Sequence, residues 1–256
     1  MKKYKFLLFF IISALLLSFN ISAECDSWYF VRSGHEKPPI AKEFSYLSEY
    51  GGYYLDEKST DEDKVIYLTF DAGYENGNVE KVVDILNRHK AKGTFFILEN
   101  LCNRNPELVK KMADNGHTVA NHTATHPNLA NASKYEIEKE IKQLEKACLE
   151  KTGVKVAKLF RPPEGKLTES ELKSVNELGY KTIMWSFAYA DWDNQNQPNP
   201  ENSIKKILEN THNGMIILLH PTSNTNAEIL DKLLTEWENE GYRIGDINEM
   251  VENNKL

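Results

Sequence analysis

The chain is poor in cysteine. Its 256 residues hold three, Cys25, Cys102 and Cys148, and no two are spaced C-x-x-C. This excludes a thiolate metal cluster and limits the chain to one intramolecular disulfide, whose pair the sequence leaves open. No Gly-x-Gly-x-x-Gly and no phosphate loop follows the first strong strand pattern, which argues against a nucleotide enzyme. No helix-length apolar run occurs after residue 23, and no solenoid-spaced repeat or low-complexity tract is present. Positive charge is also short. Thirty-one Lys and Arg face 38 Asp and Glu, a net charge of −7 that becomes −10 without Lys2, Lys3 and Lys5 of the acid-free residues 1–23. Such a chain is not built to hold nucleic acid or anionic lipid by bulk charge.

What is present begins with an address. Lys2, Lys3 and Lys5 precede an apolar run over residues 6–19 and then Ile21-Ser22-Ala23. That is the layout of a secretory signal peptide, cleaved after Ala23, so an extracytoplasmic protein is expected; a retained N-terminal anchor is the alternative. Glu24 directly before Cys25 argues against lipid attachment. Residues 24–62 are rich in aromatics and turn formers without a sustained period. They read as an irregular extension packing on a main domain at 63–256.

From residue 65 strands and helices alternate about seven times. Apolar runs at 65–70, 94–98, 117–120, 156–160, 181–185, 215–219 and 242–244 read as strands, with helical patterns between them. Ser133 with Glu136 is a capping box opening a helix that ends at Gly153, and Asn105-Pro106 opens another. The pattern predicts an α/β fold, a distorted (β/α) barrel of about seven strands, with an open doubly wound sheet as the alternative.

In a parallel barrel the carboxyl ends of all strands share one face, where catalytic groups collect. Asp71, His122, His126, Arg161, Asp191 and His220 all fall just past strand ends. Each also has a plain structural reading: Asp71 as a cap, Arg161 as an ion pair, His220 as a core histidine. Two histidines four apart can reach one cation. Asp71 can act as a general base on a water, held ionised by the forked guanidinium of Arg161. His220 can donate a proton to a leaving amine, with Asp191 raising its pKa. Trp185, within a strand, reads as core, and Trp192 as a cleft wall; Tyr189 fits either place.

Five stretches in order carry a resemblance: Thr69-Phe70-Asp71-Ala72-Gly73, His122-Thr123-Ala124-Thr125-His126, Arg161-Pro162-Pro163-Glu164-Gly165, Ala188-Tyr189-Ala190-Asp191-Trp192 and Ile217-Leu218-Leu219-His220. Together, over about residues 65–245, they resemble the polysaccharide deacetylases, the family four carbohydrate esterases with a NodB-like domain. The resemblance implies a distorted (β/α) barrel. It implies Asp71 as base, His122 and His126 as ligands of a divalent metal (zinc foremost), Arg161 as tether of the base, His220 as acid and Asp191 as its tuner. The Glu164 N–H matches the oxyanion donor, and Glu164, Trp192 and Tyr74 are the expected substrate contacts. Ala72 replaces the family's second Asp, a metal ligand, so the cation is held by two His and water, held weakly, or ligated by a substitute such as Glu75. Ala188 replaces the first Asp of the fourth stretch.

Within the family, Asp71-Ala72-Gly73-Tyr74-Glu75-Asn76-Gly77, the 161–165 and 185–192 stretches and Asn226-Ala227-Glu228 are similar to the delta-lactam-biosynthetic de-N-acetylases, which commonly lack the second Asp. That implies action on N-acetylmuramic acid of spore-cortex peptidoglycan, stripped of stem peptide, toward muramic delta-lactam; a monomer is expected. Deacetylation of N-acetylglucosamine, chitin or O-acetyl xylan and a non-catalytic glycan-binding module are the competing readings.

Overall fold

The eight residues Val65–Ala72 form the longest strand because they are apolar on both faces, as a strand covered on both sides must be. In the computed structural model, which describes residues 26–254, this strand lies inside a curled parallel half-barrel. The strands are β1 (Asp26–Ser27), β2 (Gly52–Tyr53), β3 (Val65–Ala72), β4 (Gly93–Ile97), β5 (Thr118–Asn121), β6 (Leu159–Phe160), β7 (Lys166–Leu167), β8 (Lys181–Ile183), β9 (Phe187–Ala188), β10 (Met215–Leu219) and β11 (Arg243–Ile244). The helices are α1 (Val79–Arg88), α2 (Glu99–Arg104), α3 (Pro106–Asp114), α4 (Lys134–Thr152), α5 (Glu169–Glu177), α6 (Pro200–Leu208), α7 (Asn224–Asn239) and α8 (Ile247–Asn253).

The main sheet runs β2-β8-β6-β5-β4-β3-β10-β9, with β11 pairing the start of β3, and every pairing is parallel. The seven expected strands are all there. The sheet adds β2 and β9, two residues each, too short to leave a period in the sequence. The expected signal peptide and Cys25 lie outside the described residues. The rest of the extension packs on the barrel: β2 extends the sheet, while β1 pairs antiparallel with β7.

Strand alternation sets which residues face the barrel interior. Ile66, Leu68, Phe70 and Ala72 pack in the cluster that meets the helices, with Val82, Val83 and Leu86 of α1. Val65 and Tyr67 point the other way, into a cluster with Phe96, Ala120, Leu159, Ile183 and Ile216, closed below by Ile247, Met250 and Val251 of α8. Continuing that inward parity along β3 gives Thr69 and then Asp71. The same parity leads from Ala120 to His122, from Leu159 to Arg161, from Ile183 to Trp185, and from Ile216 through Leu218 to His220. One end of the interior is plugged by α8; the other is lined by polar side chains.

Candidate active site

A cavity of about 480 Å³ opens at the carboxyl ends of the strands. Asp71, His122, His126 and His220 line it together with Glu164, Gly165 and Trp185; Ala188, Tyr189, Trp192 and Leu218 complete the wall.

Arg161 is the best-determined group behind it. Its side chain has no exposed surface. Nη1 donates to Asp71 Oδ1 at 2.9 Å, Nη2 to Thr69 Oγ1 at 2.8 Å and Met184 O at 3.2 Å, and Nε to Ile183 O at 2.9 Å. The guanidinium also lies 4.2 Å from the Phe96 ring centroid. A buried cation requires this degree of satisfaction. Asp71 therefore does not cap a turn. Burial pushes its carboxyl pKa up, but the charges of His122, Arg161 and His220 outweigh burial and hold it below the ordinary value. Burial also drives His122 down to about 4, so at neutral pH that imidazole is uncharged and Arg161 carries the effect.

His122 and His126 sit on a loop held by its own backbone strain and by α4. Thr123 and His126 both have left-handed φ, 73° and 60°, conformations that survive only where neighbours fix them. Asn121 Oδ1 accepts from Thr123 N–H at 2.9 Å. Glu140 of α4 accepts from the N–H groups of Ala124 (3.1 Å) and Thr125 (2.9 Å) and from the Thr125 hydroxyl (3.0 Å). His122 Nδ1–H donates to Arg161 O at 2.8 Å, which leaves Nε2 3.5 Å from Asp71 Oδ2. The two imidazole centroids are 4.9 Å apart.

Among the described residues no group of three or more His, Cys, Asp or Glu is arranged to hold a metal ion. Ala72 is fully buried in the helix-side cluster, so that position offers no donor. Glu75 does not substitute, because its carboxylate accepts from the N–H groups of Gly77 and Glu80. The donors that fit a cation are the two imidazoles of His122 and His126 beside Asp71, half of a tetrahedral shell.

His220 lines the same cavity as Asp71, just past the end of the neighbouring strand β10. It is not a backbone-bonded core histidine: Nδ1–H donates to Asp191 Oδ1 at 2.7 Å and its own N–H to Asp191 Oδ2 at 2.8 Å. Burial pushes the imidazole down, but the hydrogen bond and charge of Asp191, with Asp71, more than reverse this and raise its pKa above the ordinary value. Asn226, fully buried, donates to Asp191 Oδ2 (2.6 Å) and His220 O (2.9 Å), while its own oxygen accepts from the Tyr189 hydroxyl. The acid–carboxylate pair is thus held from behind.

The remaining expected contacts divide. Trp192 stands 62% exposed at the rim, its ring centroid 6.4 Å from that of His220. Glu164 lines the cavity, its carboxylate 2.6 Å from Lys166 Nζ. Its backbone N–H makes no hydrogen bond to the described residues. Tyr74 is outside the cavity lining and takes a hydrogen bond from Asn194 at 2.6 Å. Trp185, expected in the core, is a cavity wall, because it lies beyond the end of β8 with inward parity. Sequence reading missed Asn226, Glu140 and Thr69 as supports, although Asn226 and Thr69 both fall within quoted stretches. Cys102 and Cys148 are free and buried, so among the described residues no disulfide forms.

The polysaccharide deacetylase family model matches residues 58–183. The peptidoglycan-N-acetylmuramic acid deacetylase PdaA of Bacillus subtilis is 37% identical over 227 residues, 88% of this chain and 85% of that protein. A peptidoglycan-N-acetylglucosamine deacetylase of Bacillus cereus is 34% identical over 194 residues, 74% of this chain and 89% of that one. The structure of Bacillus subtilis PdaA, described as a family 4 carbohydrate esterase, superposes with a TM-score of 0.85 at 36% identity, covering 91% of this chain and 99% of that one.

Proposed function

The chain belongs to the polysaccharide deacetylase family, and we propose that it removes the N-acetyl group from N-acetylmuramic acid of peptidoglycan whose stem peptide has been stripped. The observation that carries this is the presence, in one cavity, of Asp71 tethered by Arg161 and His220 tethered by Asp191. The 37% identity to a muramic acid deacetylase supports the choice of sugar.

The residues suit hydrolysis of an amide. Asp71, held ionised, takes a proton from the attacking water. The Glu164 N–H receives the developing oxyanion, a contact that strengthens only as charge builds on that oxygen. His220 is protonated at the start and its Nδ1 is committed to Asp191, so Nε2 is the nitrogen that gives its proton to the departing amine. Water's oxygen ends in acetate and the sugar keeps a free amine. A divalent cation held by His122 and His126 would polarise the scissile carbonyl and acidify water. Trp192 offers a stacking face for a neighbouring sugar. Residues 1–23 support export, and the likeness of residues 71–77, 161–165 and 185–192 to the delta-lactam-biosynthetic de-N-acetylases supports a cortex substrate and a place in making muramic delta-lactam.

The acid–base pair speaks against a binding module, which needs no proton donor. The Bacillus cereus relative favours a second reading, N-acetylglucosamine as the sugar. Acetate release from peptidoglycan strands stripped of stem peptide, with product sugars identified and with or without a strong chelator, tests all of this. Release from muramic acid that stops with chelator and returns with zinc is expected. Release from glucosamine alone moves the assignment to the second reading, release that ignores chelator removes the metal role, and no release overturns the proposal.

A further inference from the structure

The turn that presents the Glu164 N–H is conformationally improbable by itself. Glu164 and Gly165 are consecutive left-handed residues, φ 58° and 64°. A side-chain-bearing residue stays in that region only when its surroundings fix it. Part of what fixes it comes from outside the barrel. The β1–β7 ribbon pairs Ser27 with Lys166 directly after the turn. Trp28 N–H then donates to Gly165 O at 2.8 Å, and the Trp28 indole Nε1–H donates to Trp185 O, also at 2.8 Å. Trp28 is itself buried, its ring 4.9 Å from Phe44 and 5.5 Å from Tyr54. Trp185 closes the arrangement from the cavity side: a Cβ at Gly165 would come within 2.6 Å of its ring. One residue of the extension thus bonds both the turn and the tryptophan packed on it.

We propose that Trp28 is a positioning residue that aims the Glu164 N–H into the cavity, which makes the N-terminal extension a working part of the active site. This rests on Glu164 N–H being the oxyanion donor. Trp28 is not part of the cavity lining, so loosening it withdraws a contact made in the transition state and leaves ground-state binding in place. The expected signature is a fall in kcat with KM retained.

The test uses Trp28→Ala and Trp28→Phe in the full chain. Acetate release from peptide-stripped peptidoglycan strands is measured below each variant's melting transition, alongside amide hydrogen exchange. For Trp28→Ala, kcat falls by about tenfold or more, toward the loss seen when an oxyanion donor is removed, with KM within about twofold. Exchange quickens over residues 163–167 and is unchanged in β3 and β10. Trp28→Phe keeps the ring and recovers part of kcat. If the alanine variant does not fold, the phenylalanine variant decides, by a smaller kcat deficit with the same local exchange. Wild-type kcat in a folded variant, or faster exchange spread over the whole barrel, overturns the proposal. If the wild type itself releases no acetate, the deacetylase reading falls, and exchange confined to 163–167 still upholds the clamp.

Discussion

Arg161 Nη1 lies 2.9 Å from Asp71 Oδ1, and the arginine making this contact is fully buried. A buried ion pair with one partner removed leaves an uncompensated charge and costs about 3–5 kcal/mol. Arg161→Lys retains the charge but loses the fork that reaches Asp71, Thr69 and two carbonyls together. It should lower the unfolding free energy by a few kcal/mol in denaturant titration and abolish most acetate release. Asp71→Asn, which keeps the shape, should stay folded and lose about 10²–10⁴-fold in kcat, the usual contribution of a general base.

The His220–Asp191 pair predicts a pH profile. His220 acts while protonated, and its raised pKa extends that state toward higher pH. Activity should fall as pH rises through the raised value. Asp191→Asn removes the carboxylate that raises it, so the alkaline limb of kcat/KM should move to lower pH. An unmoved limb would assign that ionisation to another group.

Glu140 sits beneath the histidine loop and accepts three hydrogen bonds from it. Glu140→Ala removes those acceptors from a helix position that tolerates alanine. Supports of metal ligands typically contribute 10–100-fold in affinity. Zinc binding followed by calorimetry should weaken by about tenfold, with far-ultraviolet circular dichroism unchanged.

Glu171 of α5 is buried without a charged partner, and burial, outweighing the Thr168 backbone N–H, pushes its pKa up to about 8. The folded state holds this proton more tightly than the unfolded chain, whose carboxyl titrates near its ordinary value of 4.5. Its contribution to stability is therefore full below pH about 4.5 and declines as pH rises toward about 8. Glu171→Gln should flatten that slope and raise the melting temperature at pH 8 more than at pH 5.

Apolar runs made the strands legible, and chain order made the barrel legible. Ser133, Glu136 and Gly153 marked both ends of α4, and the structure has the capping box and a left-handed Gly153 there. Less visible were elements whose reasons are not local. α2 is six polar-rich residues running into Pro106, and β2 is a strand only because Thr182 and Ile183 lie beside it. At the site, residues that carry chemistry at strand ends stood out, while those that hold them did not. Glu140 looks like any exposed helical glutamate until the loop above it is placed. Trp185 looked like core because the strand was read two residues too long, which concealed its place in the wall.

The pairing of β3 with β10 has one more consequence. Leu219 is aligned with Phe70 on the last paired rung, and Asp71 and His220 are the residues that follow each of them. The gap between the backbones that carry the proton acceptor and the proton donor is therefore set by strand pairing, close to the roughly 4.8 Å that separates any two paired strands. Side-chain substitutions around the cavity can retune either group, but none can widen that gap without unzipping the sheet. Across the cavity, the substrate meets a fixed gauge, and variation in what is accepted has to come from the loops that roof it.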